Sequence, residues 1–251
     1  HPLGQADLLA RLRKIERKLL ADRLTWPQPH KDDKILTSWN GLMIESLAHA
    51  GRVLEEPKYV AAAADAADFI LAAMVRDGKL LRTYRAETAK LPGYLDDSAY
   101  FSKALVELHV ATDDRRWLDE ATRIVDIMED EFGDQQNGGF FFTGTSHEAL
   151  MVRSKNLGGG GNMPNTNGIA AQTLIQLAEL AGNPRYRQSA QQTLQSLAGV
   201  MTAQPHTSEH LLIGAAEFFE SEPSPPAKSE HSSGLTKRVE PITIRVAASD
   251  R

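Results

Sequence analysis

The amino-acid sequence predicts an all-α fold, an incomplete α/α toroid of about eight helices with short β-hairpins in the loops at one end. Apolar residues recur every three or four positions along most of the chain, and three sequence blocks superimpose without gaps. Long connections precede each block. We expect residues 1–220 to form the toroid fragment, and residues 221–251 to form a Pro/Ser-rich linker with a short terminal strand.

The composition argues against several classes of protein and site. A formal net charge of −5 without a long basic run argues against binding to nucleic acid or to an anionic membrane surface. No apolar run reaches the roughly 18 residues of a membrane span, so we expect a soluble protein, with the cytoplasm favoured. The chain contains no cysteine, which excludes disulfides and thiolate zinc sites within it. We expect no cofactor.

The first three helices can be placed from the sequence. Residues 6–23 carry leucine and isoleucine at helical spacing and predict an amphipathic helix, which two prolines after Trp26 end. Residues 30–43, HKDDKILTSWNGLM, open the second helix, and Pro57 begins an alanine-rich third one. The candidate capping residues of the second helix are Asp32, Asp33 and Thr37.

The prediction of helical hairpins is based on an internal sequence repeat. When Tyr59, Trp117 and Tyr186 are set equivalent, each has a basic residue before it, an alanine four residues after it and a leucine twelve residues before it. Each block therefore contains two helices joined by a short turn. The three blocks are residues 47–70, 105–128 and 174–197.

The first helices of the three hairpins begin near equivalent positions, Asn40, Ser98 and Asn167. If the hairpins stack side by side, these N-termini and the connections leading into them lie at one end of the assembly. Long loops on a rigid scaffold are where binding and catalytic groups are usually mounted, so we expect the site there. The connections are residues 26–37, 77–95 and 133–164.

Short strands are predicted in two of these connections. Residues 80–84 alternate in polarity, and residues 140–143 predict a β-hairpin whose return strand lies near residues 150–153. The four glycines at 158–161 predict a flexible bridge and lack the spacing of a nucleotide-binding loop. Residues 210–219 predict the last helix.

Two architectures accommodate an initial helix, three hairpins and a last helix. In an α/α toroid the first helices line a cavity and the second helices form an outer ring. A right-handed solenoid of helix pairs uses the same packing without closing, and it is the alternative. Because a closed ring of six hairpins needs twelve helices, this chain would form about two thirds of such a ring or a complete, shorter arc.

Several motifs resemble those of the spermatogenesis-associated protein 20-like family. They span about residues 6–219 and read HKDDKILTSWNGLMIESLA, LLRTYR, PGYLDDSAY, GGFFFT, HEALMVRSK and NMPNTNGIAAQTLI. The resemblance implies a six-hairpin toroid related to sugar 2-epimerases and six-hairpin glycosidases. It also implies an N-terminal thioredoxin-like domain outside this chain, which would be a partner of the toroid.

Two segments depart from the family pattern. Asn165, Thr166 and Asn167 follow Pro164 where relatives commonly have Ser-Gly-Asn. The run Asp96-Asp97-Ser98 stands where relatives often have Glu-Asp-Tyr.

The carboxylates at the start of the second hairpin are candidate catalytic groups. Either Asp96 or Asp97 is explained as a helix cap, and the other would act as a general acid, base or nucleophile of glycoside chemistry. Adjacent helix residues point in different directions. A dyad of Asp97 with Asp33 or Glu148 is therefore favoured over the adjacent pair.

Two histidines are candidate general bases, because an imidazole titrates near neutral pH. His30 lies in the polar stretch before the second helix, and His147 lies in the third connection. The lysines beside Asp32 and Asp33 favour a solvated, self-paired loop, so we predict no metal site. The candidate catalytic residues are thus His30, Asp33, Asp97 and His147.

Aromatic faces for sugar rings and polar donors for hydroxyl groups complete the predicted site. Each aromatic residue also fits a place in the core. The candidate substrate-binding residues are Trp39, Asn40, Tyr84, Arg85, Tyr100, Arg153, Lys155, Asn165 and Asn167.

Two functions follow from these predictions. The first is a carbohydrate-active or carbohydrate-binding toroid that takes a sugar or another small molecule, by an unspecified reaction. The second is a non-catalytic interaction module that presents its loop face to a partner or to a thioredoxin-like domain of the same protein. Convergence of the candidate side chains on one pocket would favour the enzyme, and their scattering over different faces would contradict it.

Overall fold

The computed structural model describes residues 4–148, 151–155 and 163–221. The predicted glycine bridge at 158–161 and the predicted linker and strand at 222–251 lie outside the described residues. The helices are α1 (Gln5–Leu24), α2 (Thr37–Val53), α3 (Pro57–Ala73), α4 (Leu95–Thr112), α5 (Arg115–Phe132), α6 (Thr166–Leu180), α7 (Pro184–Ser196), α8 (Ala198–Ala203) and α9 (Glu209–Glu220). The strands are β1 (Ile35–Leu36), β2 (Val75–Arg76), β3 (Lys79–Arg85) and β4 (Thr88–Pro92).

The helices form an arc of two layers. The inner layer consists of α2, α4, α6 and α9, each packed against the next. The outer helices α3, α5 and α7 each pack on the preceding inner helix and also contact the following one. The three predicted hairpins are therefore present as α2/α3, α4/α5 and α6/α7, and α9 begins a fourth unit.

The structure explains the columns of the sequence repeat. The equivalent alanines Ala63, Ala121 and Ala190 are fully buried. Each basic residue of the repeat stacks on the aromatic ring that follows it, and in the second repeat the Arg116 guanidinium lies 3.7 Å from the centre of the Trp117 ring. The repeat thus encodes a cation–π pair on each outer helix.

Ion pairs connect successive outer helices. Arg116 of α5 binds Asp68 of α3 at 2.6 Å, and Arg185 of α7 binds Asp126 and Glu129 of α5. Asp68 and Asp126 both lie nine residues after the aromatic residue of their own repeat. The same interaction therefore recurs from one repeat to the next.

A small antiparallel sheet covers the loop end of α2 and α4. Strand β3 pairs with β1, β2 and β4, and its register places Tyr84 opposite Ile35 on one side and Ala89 on the other. The Thr37 hydroxyl donates to the carbonyl of Leu81 at 2.6 Å, which fixes the start of α2 on the sheet. The predicted strand at 80–84 is confirmed.

Other local expectations differ from the structure. No side chain of the first connection caps α2, because its N-cap residue is Leu36 and Thr37 is already helical. In the described part of the third connection, Phe140 forms only an isolated bridge with Gly133, and residues 151–155 form no strand. Phe142 instead donates a single hydrogen bond to Ser154 at 2.7 Å.

Two glycines allow the inner helices to approach closely. A Cβ atom on Gly41 of α2 would lie 2.8 Å from the backbone of Phe101 on α4, and one on Gly168 of α6 would lie 2.7 Å from the backbone of His210 on α9. These positions are equivalent in the repeat. The distance between inner helices at the loop end is therefore set by residues without a side chain.

We predict that Gly41→Ala destabilises the fold by about 1–3 kcal/mol, because the added methyl group forces α2 away from α4. The control is Gly199→Ala on α8, where a Cβ atom meets nothing within 4 Å. That change should be neutral or slightly stabilising. Urea denaturation measures both, and equal effects of the two changes would contradict the close packing.

Candidate functional site

The side chain of Asp97 lies at the junction of two inner helices and is fully buried. Its Oδ1 atom accepts a hydrogen bond from the backbone N–H of Ser38 in the first turn of α2, at 2.9 Å. Its Oδ2 atom accepts one from the N–H of Tyr94, the N-cap residue of α4, at 2.9 Å. One carboxylate therefore caps two helices, its own and the preceding inner helix.

Arg82 on β3 joins Asp97 to its neighbour Asp96. Its Nη1 atom donates to Oδ2 of Asp97 and to Oδ1 of Asp96, each at 2.9 Å, and Nη2 lies 3.3 Å from Oδ2 of Asp96. The guanidinium also lies on the ring of Tyr94. Two carboxylates thus share one cation, and the Asp96 side chain keeps 12% of its surface exposed.

The protonation of Asp97 is unusual. Burial and the adjacent Asp96 carboxylate raise the pKa of Asp97 to about 7, while Arg82 and the N–H donors of Tyr94 and Ser38 oppose that increase. Because two adjacent carboxylates repel each other when both are ionised, one of them keeps its proton up to neutral pH. A group of this kind can donate or accept a proton at neutral pH.

The amide of Asn167 organises the third connection. Its Oδ1 atom accepts the N–H of Phe140 at 2.8 Å, and its Nδ2 atom donates to the carbonyls of Phe140 and Lys155, each at 3.1 Å. Asn165 caps α6 by accepting the N–H of Gly168 at 2.9 Å. Both predicted binding residues are thus bonded to the backbone of this connection and of α6.

The two basic residues of this connection are also bonded within the protein. Lys155 pairs with Asp134 at 2.9 Å and donates to the carbonyl of Gly138. Although burial alone would raise the pKa of Asp134, the bonds from Lys155 and Asn137 lower it to about 2. Arg153 donates to the carbonyls of residues 143 and 131 and lies on the ring of Phe141.

Tyr100 and His147 lie among packed groups. The Tyr100 hydroxyl donates to the carbonyl of Pro164 at 2.6 Å and therefore links α4 to the start of α6. His147 Nδ1 accepts the N–H of Gly144 at 3.0 Å, and its ring packs on Tyr94. Its Nε2 atom is buried and has no hydrogen-bond partner among the described residues.

Most of the candidate residues in and near the first connection are exposed, and the others are half-buried. His30 is exposed, and Asp33 forms an exposed ion pair with Arg85 at 2.5 Å. Trp39 in the first turn of α2 is 60% exposed. Asn40 closes that turn through a bond to the carbonyl of Leu36, and the ring of Tyr84 packs edge-on against Phe69.

The structure therefore places the predicted site residues at the loop end in three separate groups, rather than around one pocket. The first group lies in and near the first connection and includes the exposed Asp33–Arg85 pair. The second is the buried Asp96–Arg82–Asp97 cluster, and the third surrounds Asn167. The favoured dyad of Asp97 with Asp33 is not formed, because Asp33 pairs with Arg85. Within the described ranges no group of three or more His, Cys, Asp or Glu could hold a metal ion.

Two contributors to polar clusters were not singled out from the sequence. Arg82 is not among the candidate residues predicted from the sequence, although an arginine on a predicted strand that precedes a pair of aspartates is a usable signal. Lys103 of α4 is 5% exposed although it is a lysine. The repeat alignment offers a signal, since it makes Lys103 equivalent to Glu45 and Gln172 within otherwise apolar inner helices.

No protein-family model matches the chain. Spermatogenesis-associated protein 20 of Rattus norvegicus is 35% identical over 180 residues, which are 66% of this chain and 22% of that protein. Over these residues the chain is similar to the spermatogenesis-associated protein 20-like family. The Homo sapiens protein of this family is 33% identical over 177 residues. The chain spans 22% of the length of either relative.

Solved structures confirm the predicted fold class of the chain. An α-mannanase of glycoside hydrolase family 76 from Bacteroides thetaiotaomicron superimposes with a TM-score of 0.60 at 16% identity, over 79% of this chain and 56% of that one. Cellobiose 2-epimerase from Spirochaeta thermophila gives a TM-score of 0.52 at 20% identity, over 65% and 43%. These likenesses show an α/α toroid rather than a solenoid.

A third structure is an α-1,6-mannanase from Salegentibacter in complex with α-1,6-mannotriose. It is an inactive variant in which two consecutive aspartates are replaced by asparagine. The TM-score is 0.53 at 11% identity, over 65% of this chain and 47% of that one.

Within the residues described for the present chain, no helix combines the length and apolarity needed to cross a bilayer.

The pKa of Asp97 gives a prediction for stability. A carboxyl whose pKa is about 3.8 when unfolded and about 7 when folded contributes stability that is fully present below pH 4 and lost as the pH rises through 7. Between these pH values the unfolding free energy of the natural chain should therefore fall relative to that of Asp97→Asn, by up to about 4 kcal/mol.

Urea denaturation from pH 4 to pH 8 measures this difference. Asp119→Asn, at an exposed position of α5, is the control and should keep the pH profile of the natural chain. Parallel profiles for Asp97→Asn and the natural chain would contradict the raised pKa.

Proposed function

We propose that this chain is a carbohydrate-active or carbohydrate-binding toroid domain whose reacting groups are the carboxyls of the Asp96–Arg82–Asp97 cluster. The observation that carries the proposal is the pairing of two carboxyls by Arg82 at the N-terminus of an inner helix. Glycoside chemistry uses paired carboxyls, one of which holds a proton. The raised pKa of Asp97 supplies that proton near neutrality.

The two aspartates have different parts in this proposal. Asp97 caps α2 and α4 and has no exposed surface, so it acts as a positioning group and a proton reservoir. Asp96 is the member that retains exposed surface, and it would meet a substrate at the loop end. The catalytic roles predicted for His30, Asp33 and His147 stay predictions.

Likeness to sugar-processing toroids supports the proposal without specifying a reaction. The neighbours include a cellobiose 2-epimerase and an α-1,6-mannanase that carries mannotriose in an inactive variant lacking two consecutive aspartates. Asp96 and Asp97 are consecutive in the present chain. Mannotriose and cellobiose are therefore the first ligands to test.

A second candidate function is a non-catalytic interaction module, with a thioredoxin-like domain as the partner that the family resemblance implies. The exposed helix α1 favours it, because none of its residues is buried. Trp39 and Met43 on α2 are also exposed apolar residues. The large apolar residues that α1 exposes are Leu8, Leu9, Leu12, Ile15, Leu19, Leu20 and Leu24.

Replacing Asp96 separates the two functions. In assays of mannotriose hydrolysis and cellobiose epimerisation, Asp96→Asn should lower kcat/KM at least 100-fold, because it removes an ionisable group from the reacting pair. Its thermal midpoint should change little, since Asp97 keeps both caps. Asp119→Asn is the matched control and should retain full activity.

Equal activity of Asp96→Asn and the natural chain would contradict the assigned reacting group. If the natural chain neither converts nor binds any mono- or oligosaccharide in calorimetric titration, the carbohydrate function fails and the interaction module is favoured.

A further inference from the structure

Two apolar helix faces are left uncovered at the α2 side of the arc. Helix α1 has no buried residue, although leucine and isoleucine recur along it at helical spacing. The α1 stripe consists of the exposed residues Leu8, Leu12, Ile15 and Leu19. Apolar residues recur at similar spacing on α2, where Met43 is 58% exposed. The α2 stripe consists of Trp39, Met43, Leu47, Ala50 and Leu54.

The α2 stripe lies on the side of α2 that faces away from α4. A Cβ atom on Gly41 would lie 2.8 Å from the backbone of Phe101, so Gly41 faces α4. Met43 follows two residues later, about 200° further round the helix. The stripe therefore lies where an inner helix preceding α2 would pack.

The repeat shows that this side of an inner helix is covered in the later units. Four of the five positions of the α2 stripe have equivalents that are buried in both α4 and α6. These equivalents are Asp97, Phe101, Leu105 and Leu108 in α4, and Thr166, Ala170, Leu174 and Leu177 in α6. Asp97, the equivalent of Trp39, accepts the N–H of Ser38 in the preceding inner helix. The α2 stripe is thus a face that packs against a helix in the other repeats.

The charges of α1 complement those around the α2 stripe. Helix α1 carries six basic and three acidic residues, whereas residues 37–73, which contain α2 and α3, carry two basic and five acidic ones. Opposite net charges attract two surfaces, and two copies of the same charged surface repel each other. A helix α1 is therefore a better occupant of the α2 stripe than a second helix α2.

The connection after α1 directs that helix away from α2 of its own chain. The side chain of Gln28 donates to the carbonyls of Arg23 and Trp26, each at 2.9 Å, which fixes the direction in which the chain leaves α1. Pro27 and Pro29 then favour an extended backbone. Such a connection disfavours folding back and favours the exchange of α1 between two copies of the chain.

We propose that the α1 stripe of one copy packs on the α2 stripe of a second copy, and that the second copy returns the same contact. The assembly is a twofold-symmetric dimer formed by the exchange of α1, in which each copy covers both of its stripes. The proposal does not rest on the carbohydrate function, because no residue of either stripe belongs to the Asp96–Arg82–Asp97 cluster.

The first test is sedimentation equilibrium of the full 251-residue chain. The natural chain should form a dimer, and Ile15→Asp and Met43→Asp should each raise its dissociation constant at least tenfold, because each change places a carboxylate in an apolar contact. Both residues are exposed in a single copy, so far-UV circular dichroism should show the same helix content in all variants.

The control for these changes is Leu91→Asp on β4. Leu91 is 59% exposed and lies outside both stripes, and aspartate tolerates the positive φ of this position. The control should leave the dimer intact. A natural chain that sediments as a monomer up to its highest soluble concentration would overturn the proposal.

Crosslinking determines which helices meet in the dimer. The chain has no cysteine, so cysteines introduced at Ile15 of α1 and at Ser46 beside the α2 stripe can be joined selectively by bismaleimidoethane. A mixture of Ile15→Cys and Ser46→Cys chains should give a crosslinked dimer, whereas neither chain alone should. A crosslinked dimer of Ile15→Cys alone would show that α1 pairs with α1, and would overturn the proposal.

The chain that carries both cysteines tests exchange against folding back. It should give crosslinked dimers. Crosslinked monomers would show that α1 packs on α2 of its own chain, which also contradicts the exchange.

The outcomes separate this proposal from the proposed function. A monomeric chain overturns the exchange of α1 and leaves the interaction module standing, because both stripes are then free for a different partner. A dimeric chain that binds no saccharide contradicts the carbohydrate function and leaves the exchange of α1 standing.

Discussion

The carboxylate of Asp97 accepts backbone N–H groups at the start of two inner helices and an arginine from the sheet. Helices α2 and α4 therefore begin at a shared buried carboxyl group, which also binds Arg82 of β3. A buried carboxylate without partners would cost several kcal/mol. Arg82 and the two N–H groups supply those partners, and they also hold Asp96 beside the protonatable group. The loop end of the arc depends on this one side chain.

The outer layer stabilises the arc in a different way, through interactions that repeat. Each outer helix stacks a basic residue on its aromatic neighbour, and Arg116 and Arg185 reach back to acids of the previous outer helix. These pairs are exposed, so each contributes little to stability. These pairs instead give successive hairpins the same spacing, and this keeps the inner helices aligned.

The repeat made the hairpins and the loop end predictable from the sequence, because helical periodicity and the aromatic columns are local signals. The site was less predictable. The capping of α2 by Asp97 joins residues 59 positions apart, and no local pattern encodes it. The sequence likewise gave no means to decide that Asp33 pairs with Arg85 at the surface, or that Asn167 bonds to Phe140. The burial of Lys103 could not be predicted either, because the sequence does not show which face of α4 packs against the neighbouring helices.

Hydrogen exchange at individual backbone amides, measured by NMR in Asp97→Ala, tests the central role of Asp97 most directly. The exchange of the Ser38 amide should accelerate at least tenfold, because its acceptor is removed. The Gly168 amide is capped by Asn165 and should keep its rate. An unchanged rate at Ser38, or an equal acceleration at both amides, would contradict the capping of two helices by one carboxylate.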